Sequence, residues 1–449
     1  MRDLILTLLL FGLMPVCYRK PFVGLAVFSW LAYMRVQDLT WGFAKTMRWS
    51  YYVAIVTFAG FLVARERKRW FRQDWRCYVM FVLIGLLGAG IALSDPPHTR
   101  QLDRYLEYIK IIAVALFTTA IVDSKERLRA ILWVIALSFG FFGVKSGLMG
   151  LANGGQAIIR GPGGMLADNN DFSLALSMAV PMLFHLGWTE RRPEIRKVFW
   201  LSVPLTVITV ALTRSRGGFL SVSAAIGMLV WRSRNRMQGI LVGVLVAIAG
   251  LLALPQDFAE RLKTILEPTK EGSAHSRLLA WGIATRMALD HPVLGVGMNK
   301  FRAHFVKYAK GPVGEVIVAH SSYFQIWAEC GTIALLLYFA LILGTFVTCW
   351  RIRAEAKRRY HTSWIINYAT MFEAGLAAFV VGSAFLNRAH FDLFYHWVAL
   401  VICFGVIARR EMDQELAGVQ RTEGSRGELE LVERPGFARR ARTALVGGG

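Results

Sequence analysis

Two arginines, Arg214 and Arg216, stand in a short connection between two apolar runs, within ALTRSRGGFLSV over residues 211–222. The flanking runs, VFWLSVPLTVITVALT and GGFLSVSAAIGMLVW, leave no room for a soluble domain between them. Gly217 and Gly218 follow, where a helix begins and its backbone N–H groups can approach a ligand closely. A guanidinium binds two phosphate oxygens at once and stays charged. The pair therefore indicates contact either with lipid headgroups or with a bound anion.

Two further arginines, Arg160 and Arg277, occur in comparable connections. Arg160 lies in RGPGGMLADNNDFS, a turn before a helix that Asp168, Asn169 or Asn170 can cap. Each arginine alone is explained as well by a side chain that reaches for the headgroups. Four of them, in loops that can converge over one bundle, favour a single bound anion. The predicted ligand is a lipid-linked phosphate or diphosphate.

A histidine and a glutamate accompany the arginines in HSSYFQIWAECG. His320 precedes a predicted helix start, because Ser322 and Gln325 have the spacing of a capping box. It is the nearby group that can exchange a proton near neutral pH, although a single interfacial histidine is often structural. Glu329 lies inside the following apolar run, where a carboxylate is a functional candidate. Pairing with an arginine is the favoured interpretation for Glu329.

No metal or cofactor is expected. His390, Asp392 and His396 come closest to a set of metal ligands, but their spacing is weak evidence. The outer loops have no Asp-x-Asp pair, and GVGMNKF lacks the third glycine of a dinucleotide fingerprint. Any phosphate chemistry is therefore predicted to rely on arginines.

The composition indicates an all-α, polytopic membrane protein. Apolar residues make up 55% and charged residues 18% of the 449 residues, and the mean hydropathy is +0.44. Long apolar stretches separated by short charged loops are typical of membrane-spanning helices. About twelve spans are predicted from the apolar segments, which lie near 4–17, 21–35, 50–64, 77–93, 105–122, 130–149, 171–188, 198–213, 217–231, 239–254, 326–350, 366–386 and 392–408.

The basic loops predict the orientation. Strongly positive stretches at 65–72, 190–197, 232–236, 351–360 and 408–411 fall on one side, which the positive-inside rule makes cytoplasmic. The net charge of +22 is thus explained by topology, and no nucleic-acid partner is expected. Arg160, Arg214, Arg216 and Arg277 fall on the opposite side, against the same bias. The predicted divisions are membrane helices over 1–254, a long outer loop over 255–325, membrane helices over 326–410 and a disordered cytoplasmic tail over 411–449.

The long outer loop has a helical pattern of its own in SRLLAWGIATRMALDHP. Leu278, Trp281, Thr285 and Ala288 fall on one predicted face, and a proline ends the pattern. The loop is therefore expected to be an ordered helical cap.

The motifs over 211–345 resemble the O-antigen ligase superfamily of bacterial inner-membrane proteins. The resemblance rests on TRSRGG, then SRLLAWGIATRMALDHPVLGVGMNKF, then AHSSYFQIWAECGTIALLLYF. The superfamily also includes O-antigen polymerases and protein O-oligosaccharyltransferases. The N-terminal stretch RKPFVGLAVFSWLAYM resembles ligase-like members linked to exopolysaccharide and protein-sorting systems.

The resemblance implies a fold like that of C-type glycosyltransferases, with the active site on the periplasmic face. Members transfer a glycan from undecaprenyl diphosphate to a hydroxyl group, and the catalytic histidine falls on His320. The essential arginines fall on Arg277 and Arg216, and less clearly on Arg160 and Arg214. Where the family often has asparagine after the histidine, this chain has Ser321 and Ser322. The substrate-binding set predicted in addition to the catalytic residues is Arg160, Arg214, Ser321 and Glu329.

The predicted activity is metal-independent, inverting ligation of a glycan to lipid A–core, with membrane lipids around the protein. A polymerase or a protein O-glycosylation ligase of the same superfamily would differ only in the acceptor. A flippase or exporter of lipid-linked glycans is an alternative of another class. It needs polar residues along a path through the bilayer, whereas the ionisable residues are expected to concentrate at one face.

Overall fold

A computed structural model describes residues 1–64, 74–93, 99–233, 237, 240, 272–309, 315–359 and 363–424. These residues contain no β-strand, only an isolated bridge between Arg160 and Asp168. They form fourteen α-helices: α1 Arg2–Arg19, α2 Pro21–Met34, α3 Trp49–Val63, α4 Trp75–Ala92, α5 Thr99–Ile121, α6 Lys125–Ala152, α7 Asn169–Thr189, α8 Pro193–Leu212, α9 Arg216–Arg232, α10 Gly272–Asp290, α11 Phe301–Tyr308, α12 Ser322–Arg359, α13 Ser363–Ser383 and α14 Asp392–Gly424.

The chain is a multi-pass helical membrane protein. Within the described ranges, seven helices are long and apolar enough to cross a membrane: α4, α6, α7, α8, α12, α13 and α14. The apolar helices α2 and α3 are shorter, and α9 has only 17 residues. The start of α5 carries Arg104, Glu107 and Lys110. These helices therefore do not account for about twelve spans, and the predicted segment 239–254, apart from residue 240, lies outside the described residues.

The centre of the bundle is formed by α7, α13 and α14, whose side chains are mostly buried. Helices in a membrane associate by close packing and by hydrogen bonds between helices, rather than by hydrophobic burial. The contact of α6 with α8 shows both. Gly143 leaves space for Thr206, and the Thr209 hydroxyl donates to the Gly143 carbonyl at 2.6 Å.

Helix α12 consists of two helices that meet at a kink. Gly331 has φ 84° and ψ 176°, a backbone conformation that is open essentially to glycine alone. The segment 291–297, which contains HPVLGVG, runs along the kink. The amides of Val296 and Gly297 donate to the carbonyls of Ala328 and Glu329 at 2.8 and 3.0 Å. The GVG stretch, which resembles part of a dinucleotide fingerprint, thus supplies hydrogen bonds to backbone carbonyls at the kink of α12.

Two expectations about helices need correction. The tail was expected to be disordered from 411, whereas α14 continues to Gly424, and 425–449 lie outside the described residues. The expected face of α10 is wrong at Leu278, which is 64% exposed. The buried face instead includes Ile283, Ala284 and Met287. Small and aliphatic residues occur on every side of α10. The spacing of its apolar residues in the sequence therefore does not distinguish one face.

Candidate active site

The N-termini of α7 and α9 are joined by side-chain hydrogen bonds. The Asn169 amide donates to the Thr213 carbonyl at 2.9 Å, and the Ser215 hydroxyl donates to Asn170 Oδ1 at 2.7 Å. Ser215 also caps α9, because its hydroxyl accepts from the Gly218 amide at 3.1 Å. Two helix N-termini, each with a partial positive charge, therefore lie side by side.

The N-terminus of α12 joins them through the turn before α14. The Ser322 hydroxyl donates to the Leu386 carbonyl at 2.8 Å and accepts from the Arg388 amide at 2.9 Å. Arg388 in turn forms an ion pair with Asp171, in the first turn of α7. The capping box expected from Ser322 is wrong, because Ser322 is already within the helix and bonds to this turn. We call this region, where α7, α9 and α12 begin, the His320 end.

The predicted arginines gather around the first two helix starts. Arg214 and Arg216 flank the capping residue Ser215. Arg160 is exposed, and its backbone forms an antiparallel bridge with Asp168. Asp168 caps α7 by accepting from an amide at 2.8 Å, which confirms the predicted helix start there. The loop containing Arg160 and the turn containing Arg214 and Arg216 thus meet at one helix terminus.

His320 lies two residues before α12 and is half-buried. Its φ is 49°, a left-handed conformation that is uncommon outside glycine and that persists only where the surroundings hold it. Burial lowers the pKa of the imidazole, Arg277 lowers it further and Asp168 opposes the shift. Burial is the main cause of this lowering, and the charge of Arg277 is a smaller one. The lowered pKa favours the neutral imidazole, which is the form that can accept a proton.

Helix α10 brings Arg277 to this histidine. Trp281, one turn after Arg277, donates from Nε1 to the Ala319 carbonyl at 3.0 Å. Its ring stacks on Phe324 with centroids 5.1 Å apart. Trp281 therefore holds α10 against one residue that precedes His320 in the chain and one that follows it. Arg277 lies on the same side of α10 as Trp281. The contacts of Trp281, which belongs to the predicted face, therefore explain how Arg277 reaches the site.

Ser321 and Glu329, the other predicted substrate contacts, lie behind the site. Ser321 is buried, and its carbonyl accepts from the Gln325 amide in the first turn. Glu329 is also buried and accepts from the Phe301 amide at 3.1 Å and the Gln325 side chain at 3.2 Å. Among the described contacts, Glu329 has these partners and no arginine, so the expected pairing with an arginine is wrong. This geometry favours support of α11 and α12 over contact with substrate.

Three arginines that the sequence analysis did not select also lie near this end. One of them is Arg388. Another is Arg35, which pairs with Asp38 at 2.5 Å and whose turn contacts the loop at 163–164. Arg104 pairs with Glu107 at 3.0 Å and acts electrostatically on both Arg388 and His390. All three lie at or beside connections between the predicted apolar segments, on the side opposite the basic loops. The same argument from positive-inside bias, applied to every outer loop, would have found them.

His390, Asp392 and His396, the residues considered as metal ligands, do not form one site. The two ring nitrogens of His396 lie 2.7 Å from the Tyr33 hydroxyl and 3.2 Å from the Thr118 hydroxyl. His390 packs edge-on against Tyr108, and burial lowers its pKa to about 4 with a smaller contribution from Arg104. Within the described ranges, no three side chains of the ligating types are grouped as a metal site.

Two family models match different parts of the chain. Residues 1–188 match a family of unknown function, DUF5935. Residues 198–339 match the family described as O-antigen ligase. No curated protein matches the chain. The second match includes Arg214 and Arg216 at the start of α9, Arg277 on α10 and His320 before α12. The match therefore places residues 198–339 in the O-antigen ligase superfamily.

Proposed function

We propose that this protein is an O-antigen ligase, which transfers a glycan from undecaprenyl diphosphate to a sugar hydroxyl of lipid A–core. The observation that carries the proposal is the convergence of three helix N-termini and several arginines around His320. Helix N-termini and guanidinium groups both stabilise phosphate. A neutral imidazole beside them supplies the base that attack by a hydroxyl group requires.

In the proposed mechanism, Arg160, Arg216 and Arg277 hold the donor diphosphate, and Arg214 contributes at the turn between them. As the bond between the anomeric carbon and the phosphate oxygen breaks, negative charge grows on the leaving diphosphate. Fixed positive groups stabilise that charge more than the charge of the ground state, and so lower the barrier. No metal ion is required for this step.

His320 acts on the acceptor. Its free ring nitrogen takes the proton of the acceptor hydroxyl while the hydroxyl oxygen bonds to the anomeric carbon. Undecaprenyl diphosphate leaves from the opposite side, so a single displacement inverts the anomeric configuration. The imidazolium then releases its proton to solvent. The left-handed backbone of His320 fixes where the ring can point, and general-base assistance of this kind is worth ~10²–10⁴-fold.

The proposed setting is the bacterial inner membrane, with the His320 end on the periplasmic face and about twelve spans. The lipid tail of the donor lies in a groove between helices. Helices α10 and α11 belong to the proposed periplasmic cap over the His320 end. The acceptor enters beneath this cap, next to Trp281.

Reconstitution with a lipid-linked donor tests this function. Purified protein in liposomes receives undecaprenyl diphosphate-linked glycan and, in parallel reactions, lipid A–core, free polysaccharide or a peptide. A new glycosidic product on lipid A–core supports ligation. Product only on the growing glycan or on the peptide identifies the polymerase or the protein O-glycosylation ligase. Donor that appears in the opposite leaflet without any new bond identifies an exporter.

Helix α13 gives no support to an exporter, although one expectation about the placement of ionisable residues is wrong. Ionisable residues do not gather at one face only, because Glu373 is fully buried in α13 far from His320. Between Glu373 and Ser383, however, the buried side chains of α13 are apolar, including Leu376 and Phe379. This stretch offers no polar path that connects the two ends.

A further inference from the structure

A second charged cluster lies in the half of the bundle remote from His320. Arg232 Nε is 2.7 Å from Glu373 Oε2, and Arg353 Nη2 is 3.5 Å from Glu373 Oε1. Arg76 binds Asp74 through two contacts, Nε to Oδ1 at 2.9 Å and Nη2 to Oδ2 at 2.7 Å. Helix α9 extends ~24 Å from Arg216 to Arg232, so the cluster lies well away from the proposed active site.

The two ion-paired groups both lie near Cys349 on α12. Cys349, one turn before Arg353, lies within electrostatic reach of Arg76, Arg353 and Glu373. The approach is explained by packing, since Gly344 on α12 leaves space for the ring of Trp75. Helix α4 thereby delivers Arg76 to the face of α12 that carries the cysteine. We call Asp74, Arg76, Arg232, Arg353 and Glu373 the arginine cluster.

The arginine cluster has an excess of positive charge. Three guanidinium groups face two carboxylates, which leaves one positive charge without a counter-charge within the cluster. The Arg76 side chain is only 2% exposed and that of Arg353 only 8%. Arg76 Nη1 and Arg353 Nε are buried and have no hydrogen-bond partner in the described part of the chain. Arg232 Nε and the two Glu373 oxygens are in ion-pair contact but also lack hydrogen-bond geometry there, so the ion pairs leave the buried donors of this cluster incompletely satisfied. A buried charge without compensation is costly, so this geometry suits one monovalent anion with oxygen acceptors.

The surrounding tryptophans indicate where that anion comes from. Trp75, Trp231 and Trp350 adjoin the cluster in sequence and are 49%, 64% and 54% exposed on the outside of the bundle. Exposed tryptophan is typical of the membrane–water interface, at the depth of the lipid headgroups. Phosphate oxygens of lipids are abundant at that depth. Basic pockets between membrane helices are known to accept anionic headgroups.

We propose that the arginine cluster binds the phosphate of an anionic glycerophospholipid, between α4, α9, α12 and α13. One phosphodiester supplies the single negative charge that the cluster needs. Its oxygens accept from the unpartnered nitrogens of Arg76 and Arg353. Arg232, the most exposed of the three arginines, borders the entrance from the bilayer. This site is independent of the proposed transfer reaction.

The test compares lipids and arginine variants in the purified full-length protein. Native mass spectrometry counts retained lipid, and thermal unfolding is followed with phosphatidylglycerol, phosphatidylcholine or inorganic phosphate. We expect wild-type protein to retain phosphatidylglycerol and to unfold at a higher temperature with it than with the other two. Arg353→Gln makes the cluster neutral. It should weaken retention about tenfold, as expected for loss of a charge-assisted hydrogen bond, and remove the lipid-dependent shift.

Controls separate a lipid site from a purely structural network. Arg351→Gln removes an exposed arginine two residues away on α12 and should behave as wild type. Arg232→Gln, at a more exposed position, repeats the test if Arg353→Gln does not fold. Equal retention of phosphatidylglycerol by wild type and both cluster variants would overturn the proposal. The same holds if inorganic phosphate alone reproduces the stabilisation, or if wild type unfolds identically in the two lipids.

Discussion

Arg388 and Asp171 form an ion pair that joins the turn before α14 to the first turn of α7. The backbone of Arg388 also bonds to Ser322, the first residue of α12. One residue thus connects the helix start next to His320 with the helix start next to Arg160. We infer that Arg388 is a positioning residue for the proposed reaction.

Asp171→Asn and Arg388→Ala should each lower both the transfer rate and the thermal stability. The pair is partly screened, because the Arg388 side chain is about a third exposed, so we expect a loss of roughly 1–2 kcal/mol in stability. The exchange of both charges, Asp171→Arg with Arg388→Asp, should recover part of the stability. Initial rates and unfolding midpoints measure this. Single variants with wild-type rates would show that the pair does not position the site.

His320→Ala should reduce transfer by ~10²–10⁴-fold while the binding of donor persists, because only the base is removed. His320→Asn is the informative companion, since asparagine tolerates the left-handed backbone better than most residues. If His320→Asn restores wild-type transfer, the backbone at this position matters and the imidazole does not.

The pH dependence of transfer should follow the neutral imidazole. Because the pKa of His320 is lowered, the rate should be flat near pH 7 and fall only below the ordinary histidine value of about 6.5. Arg277→Gln removes a positive charge, raises this pKa and shifts the acidic limb to higher pH. Asp168→Asn removes a negative charge and shifts the limb to lower pH. Rates measured from pH 4.5 to 8 at saturating donor test this, and identical limbs in both variants would contradict it.

Arg216→Lys and Arg277→Lys should keep only partial activity, because lysine retains the charge but not the bidentate fork. The alanine variants should lose more, with the effect mainly on the handling of donor. Arg302→Lys, at an exposed position on α11, is the matched control. Kinetics at varied donor concentration distinguish weaker binding from slower transfer. Wild-type kinetics after alanine replacement of both Arg216 and Arg277 would refute the diphosphate clamp.

Transfer should continue after exhaustive chelation of divalent metals, since arginines and helix N-termini neutralise the diphosphate in the proposed mechanism. Product yield with and without chelator measures this. If activity is lost and then restored by magnesium or manganese, a metal mechanism is required. Asp168, Asp171 and Asp392 would then be the first residues to replace.

Gly331→Ala should destabilise the protein by about 1–3 kcal/mol, the cost of a backbone conformation open essentially to glycine alone. An added Cβ would also approach the Val293 carbonyl oxygen to 2.2 Å. Gly227→Ala is the control, because that helical glycine has open space around it. The comparison of unfolding midpoints tests the role of the kink. Equal midpoints for the two variants would mean that the kink is not required.

The sequence predicted the helical class and several parts of the site for reasons that are local. Apolar run length indicates membrane helices, and Asp168 as a cap depends only on its neighbours in the chain. Arg214, Arg216 and Arg277 were selected because positive charge on the outer face opposes a strong statistical bias. Placement of His320 before a helix is likewise a local feature.

What the sequence did not predict depends on contacts between distant segments. The pairing of Arg388 with Asp171 joins residues 217 positions apart, and the partners of Glu329 come from α11 and its own helix. In the sequence, the region around Gly331 is one continuous apolar run. It did not predict a kink, because a glycine in a membrane helix need not bend that helix. The face of α10 was misjudged because its small side chains give no clear period.

The His320 end is assembled from residues that lie as far apart in the chain as Arg35 and Arg388. Membrane proteins are inserted from the N-terminus as they are synthesised. The loop containing Arg160 and the turn containing Arg216 are therefore in place long before the turn that anchors Ser322. By the proposed mechanism, a nascent chain gains competence only when its last helices dock. An incompletely inserted intermediate would thus be unable to consume the lipid-linked donor.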